Sequence, residues 1–220
     1  MSEEQRAQTV LRLLDRAYPE APLTYLSYRN PFEMTIATIL SAHTADKSVN
    51  MVTPELFSSY PDPESMMKAP LKSIAKIIRP CGTYNRKAVF LKDASKAIVE
   101  RFSGNVPHTM HDLMSLSGIS RKTANVVLSV CYGISEGIVV DTHIMRVTQR
   151  LGLSSQKTAP KIEQDLMQLT PREKWHDYAR LLGAHGRRTC KAAKPMCSSC
   201  VLKDLCPSAR TYMGASRSEG

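Results

Sequence analysis

Apolar residues along this chain recur with the period of an α-helix. Near the N-terminus the three- and four-residue spacing that buries one helical face is carried by Val10, Leu13, Leu14 and Ala17. The same spacing returns in further segments, several of which begin at a proline, including Pro31, Pro70 and Pro160. No segment shows the sustained alternation typical of a strand. The pattern therefore predicts an all-α fold.

Between residues 116 and 141 the pattern predicts two helices joined by a tight turn. Thr109, followed three residues later by Asp112, resembles a capping box and begins a short helix that Ser117 and Gly118 interrupt. A second helix with one apolar face follows and ends near Gly133. Backbone N–H groups at such a turn lack intrahelical partners and lie at the positive end of a helix dipole. We predict a phosphate site there.

Lys122 and Asp141 are the candidate catalytic residues of this stretch. Lys122 stands in the first turn of the second helix, where the dipole disfavours a cation, which suggests a nucleophile. An isolated lysine is more often simply solvated. Asp141 follows the apolar run 138–140 and precedes another helix, so its simplest role is an N-cap. A rigidly held capping carboxylate can also face a cleft.

This segment resembles the helix-hairpin-helix of the endonuclease III family of DNA repair glycosylases, L-P-G-V-G-x-K-T-A. Gly118, Lys122, Thr123 and Ala124 match, whereas Ser120 stands in place of the second glycine. The resemblance implies that Lys122 is the nucleophile and Asp141 its partner. If the family hairpin needs a positive φ at residue 120, a serine there is strained by about 1–2 kcal/mol.

Two further motifs resemble DNA-contacting segments of the same family. In residues 40–50, His43 replaces the glutamine that enters the gap left by a flipped base, while Asp46 matches. In residues 82–88, Thr83 stands where the family has a leucine wedge, so we expect a weaker apolar wedge. The resemblance implies that these residues contact DNA.

The charge of the chain favours a polyanionic partner. Its net charge is +10 and its pI about 9.4, which alone does not tell nucleic acid from an anionic membrane. No apolar run reaches the length of a membrane span, and the N-terminus lacks the pattern of a signal peptide, so we expect an intracellular protein with no membrane partner. The predicted DNA-binding residues are His43, Asp46, Thr83, Gly118, Ser120, Arg121, Arg187, Lys191 and Lys194.

Four of the six cysteines form a tight cluster near the C-terminus. Cys190, Cys197, Cys200 and Cys206 follow the spacing C-x6-C-x2-C-x5-C, which predicts a metal centre. Spacing alone fits either four-cysteine zinc or an iron–sulfur cluster. The resemblance implies a [4Fe–4S] cluster. The two remaining cysteines are most simply structural thiols.

The resemblance covers nearly the whole chain and implies a two-lobed fold. Residues 24–134 would form a six-helix bundle with the hairpin, and residues 1–23 with 135–212 an iron–sulfur domain, followed by a disordered tail at 213–220. Lys122 and Asp141 would face each other across the cleft.

The implied function is that of a monomeric, bifunctional DNA glycosylase and abasic-site (AP) lyase. It would excise oxidised pyrimidines from duplex DNA. One alternative is a monofunctional mismatch glycosylase, against which Lys122 argues. The other is a non-catalytic DNA-binding protein, which would need no carboxylate facing a polyanion.

Overall fold

A computed structural model describes residues 2–215 of the chain. All regular secondary structure in these residues is helical, which confirms the predicted all-α fold. The α-helices are α1 (Glu3–Ala17), α2 (Pro31–Ser41), α3 (Asp46–Ser59), α4 (Pro63–Lys68), α5 (Leu71–Ile77), α6 (Tyr84–Phe102), α7 (Met110–Met114), α8 (Arg121–Tyr132), α9 (Thr142–Leu151), α10 (Ala159–Leu169), α11 (Trp175–Arg188) and α12 (Ala209–Ala215). Short 3₁₀ turns lie at Arg79–Cys81, Arg172–Lys174 and Cys197–Ser199.

The chain divides into two compact units. Thr24–Glu136 is here termed the hairpin unit, and Met1–Leu23 together with Gly137–Gly220 the cysteine unit. The N-terminal helix thus belongs with the C-terminal helices.

Helix α2 is the centre of the hairpin unit. Every residue from Phe32 to Leu40 is buried, so this helix is covered on all sides, by α3, α6 and α8 among others. Asn30 caps its N-terminus by accepting a hydrogen bond from Glu33 N at 2.9 Å. The buried Glu33 carboxylate in turn accepts from Arg29 N at 2.7 Å and from the guanidinium Nε of Arg29 at 2.8 Å, so its charge is compensated. Helix α2 is therefore anchored at both its start and its flanks.

In the cysteine unit, α1 packs against α10 and α11, and α11 packs against α9. Close approach of α9 and α11 requires a glycine, because a Cβ at Gly186 would lie 2.9 Å from His143 Cβ. The core of this unit includes Val10, Leu14, Val147, Ile162, Leu181 and Leu182. The apolar spacing of α1 is thus used to bury it among helices distant in sequence.

The predicted disordered tail is wrong for its first residues. Residues 213–215 belong to α12, whose Ala209 is buried and whose Tyr212 ring lies 4.5 Å from the Arg150 guanidinium carbon. This stacking gives α12 a partner that composition alone does not reveal. Residues 216–220 lie outside the described residues.

Candidate functional site

The hairpin between α7 and α8 is built around Gly118. Its φ is +81°, and a Cβ at this position would lie 3.0 Å from three carbon atoms of Phe90. Both the backbone conformation and the available space therefore require glycine. Thr109 caps α7 by accepting a hydrogen bond from Asp112 N at 3.1 Å. The interruption predicted from the sequence is a turn that leads directly to the start of α8.

The expectation of strain at Ser120 is wrong. Its φ is −91° and its ψ 168°, so its backbone is extended, and its hydroxyl caps α8 by accepting from Thr123 N at 3.3 Å. A serine cap typically stabilises a helix by about 1 kcal/mol relative to alanine. Ser120 therefore supplies a hydroxyl cap that glycine, which has no side chain, cannot supply.

Lys122 lies in the first turn of α8 and is exposed. Its neighbour Arg121 donates to Glu136 O at 3.1 Å, and the buried Asn125 accepts from Glu136 N at 3.1 Å. Two residues of α8 thus hold the segment that leaves this helix. Sequence reasoning missed Asn125, because an asparagine within a helix has no local signal of burial.

Two of the predicted non-glycine DNA contacts have left-handed backbones. His43 has φ 54° and Thr83 φ 39°, and both side chains are exposed. Apart from them, Ser103, at the end of α6, is the only non-glycine residue with positive φ in the part of the chain that the structure describes. A left-handed conformation costs about 1–2 kcal/mol in a residue with a Cβ, and such strain clusters at functional sites.

Asp46 is the first residue of α3 and is half-buried. Asn50, which follows one turn later, accepts from Ser27 N at 2.9 Å and donates to Tyr25 O at 2.8 Å. The start of α3 is thereby tied to the chain that precedes α2.

In the cysteine unit, Asp141 caps α9 and also contacts an arginine. One carboxylate oxygen accepts from Ile144 N at 2.8 Å, and the other lies 3.4 Å from Arg187 Nη1. Asp141 is 24% exposed and Arg187 30% exposed, so the pair is partly shielded from solvent but accessible. The N-cap role is therefore present, and it leaves one oxygen for a second partner.

The four clustered cysteines line one pocket of the cysteine unit, together with Arg150 and His185. Arg150 Nη1 donates to Cys190 Sγ at 3.4 Å, and Cys200 Sγ lies 3.7 Å from His185 Nε2. No three His, Cys, Asp or Glu side chains within residues 2–215 converge as they would around a single metal ion. The structure thus brings the four predicted ligands to one pocket.

The thiols in this pocket influence one another. Burial raises the pKa of Cys197, Cys200 and Cys206, and the neighbouring cysteine thiolates raise it further. Four thiolates side by side therefore need a compensating positive charge, which is what a bound metal centre provides.

Two arginines of α9 hold the cysteine loop. Arg146 donates to Cys190 O at 3.0 Å and to Gly186 O at 2.8 Å, while Arg150 donates to Lys191 O at 2.7 Å. Sequence reasoning missed both residues, since their carbonyl partners lie about forty positions away in the chain. Lys191 and Lys194, the predicted DNA contacts of this loop, are exposed.

His185 lies beneath the pocket and is 2% exposed. Its Nδ1 is 3.0 Å from the Tyr18 hydroxyl, which is 2.7 Å from Thr189 Oγ1. Burial lowers the pKa of His185 to about 4, so this histidine is neutral near pH 7. It serves as a hydrogen-bonded part of the core.

Across the described residues, no helix has both the length and the apolar character needed to span a membrane.

Comparisons with known proteins show the family of this chain. Residues 36–172 match the model of the HhH-GPD superfamily base excision DNA repair protein. The chain is 43% identical to endonuclease III of Synechocystis sp. over 209 residues, which is 95% of each protein. It is 37% identical to endonuclease III of Escherichia coli, over 94% of this chain and 96% of that protein.

Comparison with solved structures also finds endonuclease III. A trapped endonuclease III–DNA covalent intermediate, an estranged-adenine complex, matches with a TM-score of 0.90 and 37% identity, covering 97% of this chain and all of that chain. A non-covalent endonuclease III–DNA complex matches with a TM-score of 0.91 and 36% identity over the same shares. The chain therefore belongs to the endonuclease III family of the HhH-GPD superfamily of base excision DNA repair proteins.

Proposed function

We propose that this protein is a bifunctional DNA glycosylase and AP lyase that removes oxidised pyrimidines from duplex DNA in base excision repair. The observation that carries the proposal is the position of Lys122, exposed in the first turn of a helix that follows a tight, serine-capped hairpin. A relative with 37% identity was solved as a trapped covalent enzyme–DNA intermediate, and a covalent intermediate requires a nucleophile.

The hairpin is proposed to bind the DNA backbone. Gly118 and Ser120 shape a turn whose N–H groups lie at the positive end of α8, where a phosphate is stabilised. The exposed residues His43 and Thr83 are proposed to enter the base stack where the damaged nucleotide is extruded. Arg121, Lys191 and Lys194 are proposed to contact phosphates, in keeping with the net charge of +10.

In the proposed reaction, the uncharged amine of Lys122 attacks C1′ of the extruded nucleotide. The glycosidic bond breaks and the base leaves with its electron pair, while Asp141 stabilises the positive charge that develops on the sugar. The attached amine loses a proton, O4′ gains one and the C1′–O4′ bond breaks, which opens the sugar ring and leaves an iminium between C1′ and the lysine nitrogen. This iminium acidifies the C2′ proton. Loss of that proton breaks the bond between C3′ and its phosphate oxygen and nicks the strand, and hydrolysis of the imine then releases Lys122.

Asp141 is suited to this role by its two contacts. The hydrogen bond from Ile144 N fixes one oxygen, and Arg187 lies beside the other. A carboxylate held in one orientation stabilises a transition state without having to reorganise. We propose that Arg187 acts on the reaction through Asp141, in addition to its predicted contact with DNA.

We further propose that Cys190, Cys197, Cys200 and Cys206 hold a [4Fe–4S] cluster. The pocket fits this group, because all four thiols line it and the other charged residues of its lining, Arg150 and Lys203, are both positive. When bound, the cluster would supply positive charge to four thiolates and cross-link the loop that carries Lys191 and Lys194. We propose no catalytic step that uses it.

The protein is proposed to act as a monomer inside the cell. The first rival, a monofunctional mismatch glycosylase, uses water instead of an amine. A thermostable thymine-DNA glycosylase is 23% identical to this chain with a TM-score of 0.79, a likeness that shows the fold alone. A non-catalytic DNA-binding protein would form no covalent adduct. Trapping of the covalent intermediate therefore separates the proposal from both rivals.

The test is reduction by borohydride during turnover on a duplex that carries an oxidised pyrimidine. Wild-type protein should become linked to the damaged strand, and Lys122→Gln should lose both the adduct and the strand nick while it still binds the duplex. Lys96→Gln is the matched control, since Lys96 is also exposed on a helix of the hairpin unit and pairs with Glu100 at 3.9 Å. An adduct formed by Lys122→Gln at the wild-type rate would disprove the assignment.

A further inference from the structure

Lys87 in α6 is a fully buried lysine. It is 3% exposed, and no other lysine is buried within the part of the chain that the structure describes. Its Nζ donates to Leu40 O at 2.8 Å, to Thr44 Oγ1 at 2.7 Å and to Cys81 O at 2.7 Å. No carboxylate is among these partners, so three neutral oxygens compensate the buried charge.

The three acceptors match an ammonium group. Burial lowers the pKa of Lys87, but an uncharged amine has only two N–H groups and would place its nitrogen lone pair within 2.8 Å of the third oxygen. An ammonium has three donors and satisfies all of them. The three contacts are therefore the geometry of a charged lysine.

These acceptors lie next to His43 and Thr83, two exposed residues with left-handed backbones. Leu40 O belongs to the last turn of α2 and Thr44 directly follows His43, while Cys81 O lies two residues before Thr83. Thr44 Oγ1 also donates to Cys81 O, so the two loops are joined to each other as well as to Lys87. Lys87 thus connects the end of α2 to the turn that begins α6.

A left-handed backbone in His43 or Thr83 is intrinsically unfavourable. Such a conformation persists only where the surrounding structure fixes it. At both loops, the contacts that fix the backbone include hydrogen bonds donated by the Lys87 ammonium.

We infer that Lys87 is a positioning residue for DNA, whose buried ammonium holds the loops of His43 and Thr83 in the conformation that enters the base stack. The inference rests on the proposed function for the role of those two side chains. Lys87 itself is buried and does not touch DNA. It acts by preorganising the two loops, so that their ordering is not required when the nucleotide is extruded.

The test compares base release in a single turnover from two duplexes. In one, thymine glycol, an oxidised pyrimidine, is paired with adenine; in the other it stands opposite a tetrahydrofuran abasic analogue, where extrusion costs less and a wedge matters less. We expect Lys87→Met to slow release about tenfold or more on the paired duplex but only about threefold or less opposite the analogue. Rates are normalised to the active fraction measured by borohydride trapping.

Lys92→Met is the matched control. Lys92 lies in the same helix and its Nζ donates to one carbonyl, Ala69 O, at 2.7 Å. The Lys92→Met variant should release base from both duplexes at nearly the wild-type rate. Amide hydrogen exchange should accelerate at residues 42–45 and 81–84 in Lys87→Met but not in Lys92→Met.

The inference would be overturned if Lys87→Met released base from both duplexes at the wild-type rate. It would also be overturned by an equal loss of rate on both duplexes, because a purely structural residue would give that result. Should Lys87→Met fail to fold, Thr44→Val removes one of the three acceptors and should show a smaller loss, again larger on the paired duplex. If wild-type protein released no thymine glycol from either duplex, the proposed function would fall. The exchange experiment would then still decide whether Lys87 orders the loops.

Discussion

Arg187 Nη1 lies 3.4 Å from the Asp141 carboxylate oxygen that the N-cap hydrogen bond leaves available. Asp141 is therefore held from two sides, by the backbone of α9 and by a side chain of α11. This relationship links a helix cap to the proposed chemistry, since the group that starts α9 is also the group that would stabilise charge on the sugar.

Asp141→Asn should separate base release from strand cleavage. Asparagine caps helices about as well as aspartate, so the melting temperature should change little. Base release should fall by about 10²–10⁴-fold, because the charge that stabilises the developing cation is lost. Some cleavage of a ready-made abasic site should remain, since no glycosidic bond has to break. Equal losses in both reactions would contradict the role of Asp141.

Arg187→Ala should slow base release about tenfold, which corresponds to about 1.4 kcal/mol of transition-state stabilisation. The cause would be a less rigidly held Asp141 carboxylate. Arg180→Ala is the control, because Arg180 lies in the same helix and pairs at 3.0 Å with Asp15 instead. If Arg187→Ala changed only the salt dependence of DNA binding, Arg187 would be a phosphate contact with no part in the chemistry.

Lys191→Ala should weaken binding to damaged and undamaged duplexes alike. Loss of one phosphate contact should flatten the slope of log K against log salt concentration by about one unit. The exposed Lys157 in the same unit, which is not a predicted contact, serves as the control. An unchanged slope in Lys191→Ala would remove that residue from the DNA footprint.

Purified protein should contain about four irons and about four acid-labile sulfides per chain. After their removal, the four pocket cysteines should react with iodoacetamide faster than Cys81 and Cys131 do in the folded protein. Cys81 is buried, and burial raises the pKa of Cys131 to about 11, which leaves little thiolate at pH 8. Stoichiometric zinc without sulfide in anaerobically prepared protein would contradict the cluster.

Gly118→Ala should destabilise the protein more than Gly133→Ala does. Both glycines have positive φ, but a Cβ at Gly118 would lie 3.0 Å from Phe90 whereas Gly133 has nothing within 4 Å. We expect about 1 kcal/mol for the backbone conformation at each site and about 1–3 kcal/mol more at Gly118 for the contact. Urea unfolding of the two variants measures the difference, and equal free energies of unfolding would show that Phe90 yields at little cost.

The sequence by itself determined the features that depend on neighbouring residues. Apolar spacing, the proline at residue 31 and the cap at Thr109 predicted helices, because a helix is stabilised by contacts within one or two turns. The hairpin and its lysine were likewise visible, since Gly118 to Lys122 form one continuous motif. The family resemblance was also readable from such motifs, and the comparisons confirm it.

Only the tertiary structure decided the conformations and contacts that distant residues impose. It placed the positive φ at Gly118, where Phe90 also leaves no room for a Cβ, and gave Ser120 an extended backbone from which its hydroxyl caps α8. It buried Lys87 against carbonyls up to 47 positions away and set Arg187 beside Asp141, 46 positions apart. No local pattern encodes such pairs, since burial and charge compensation arise only when separate helices pack together.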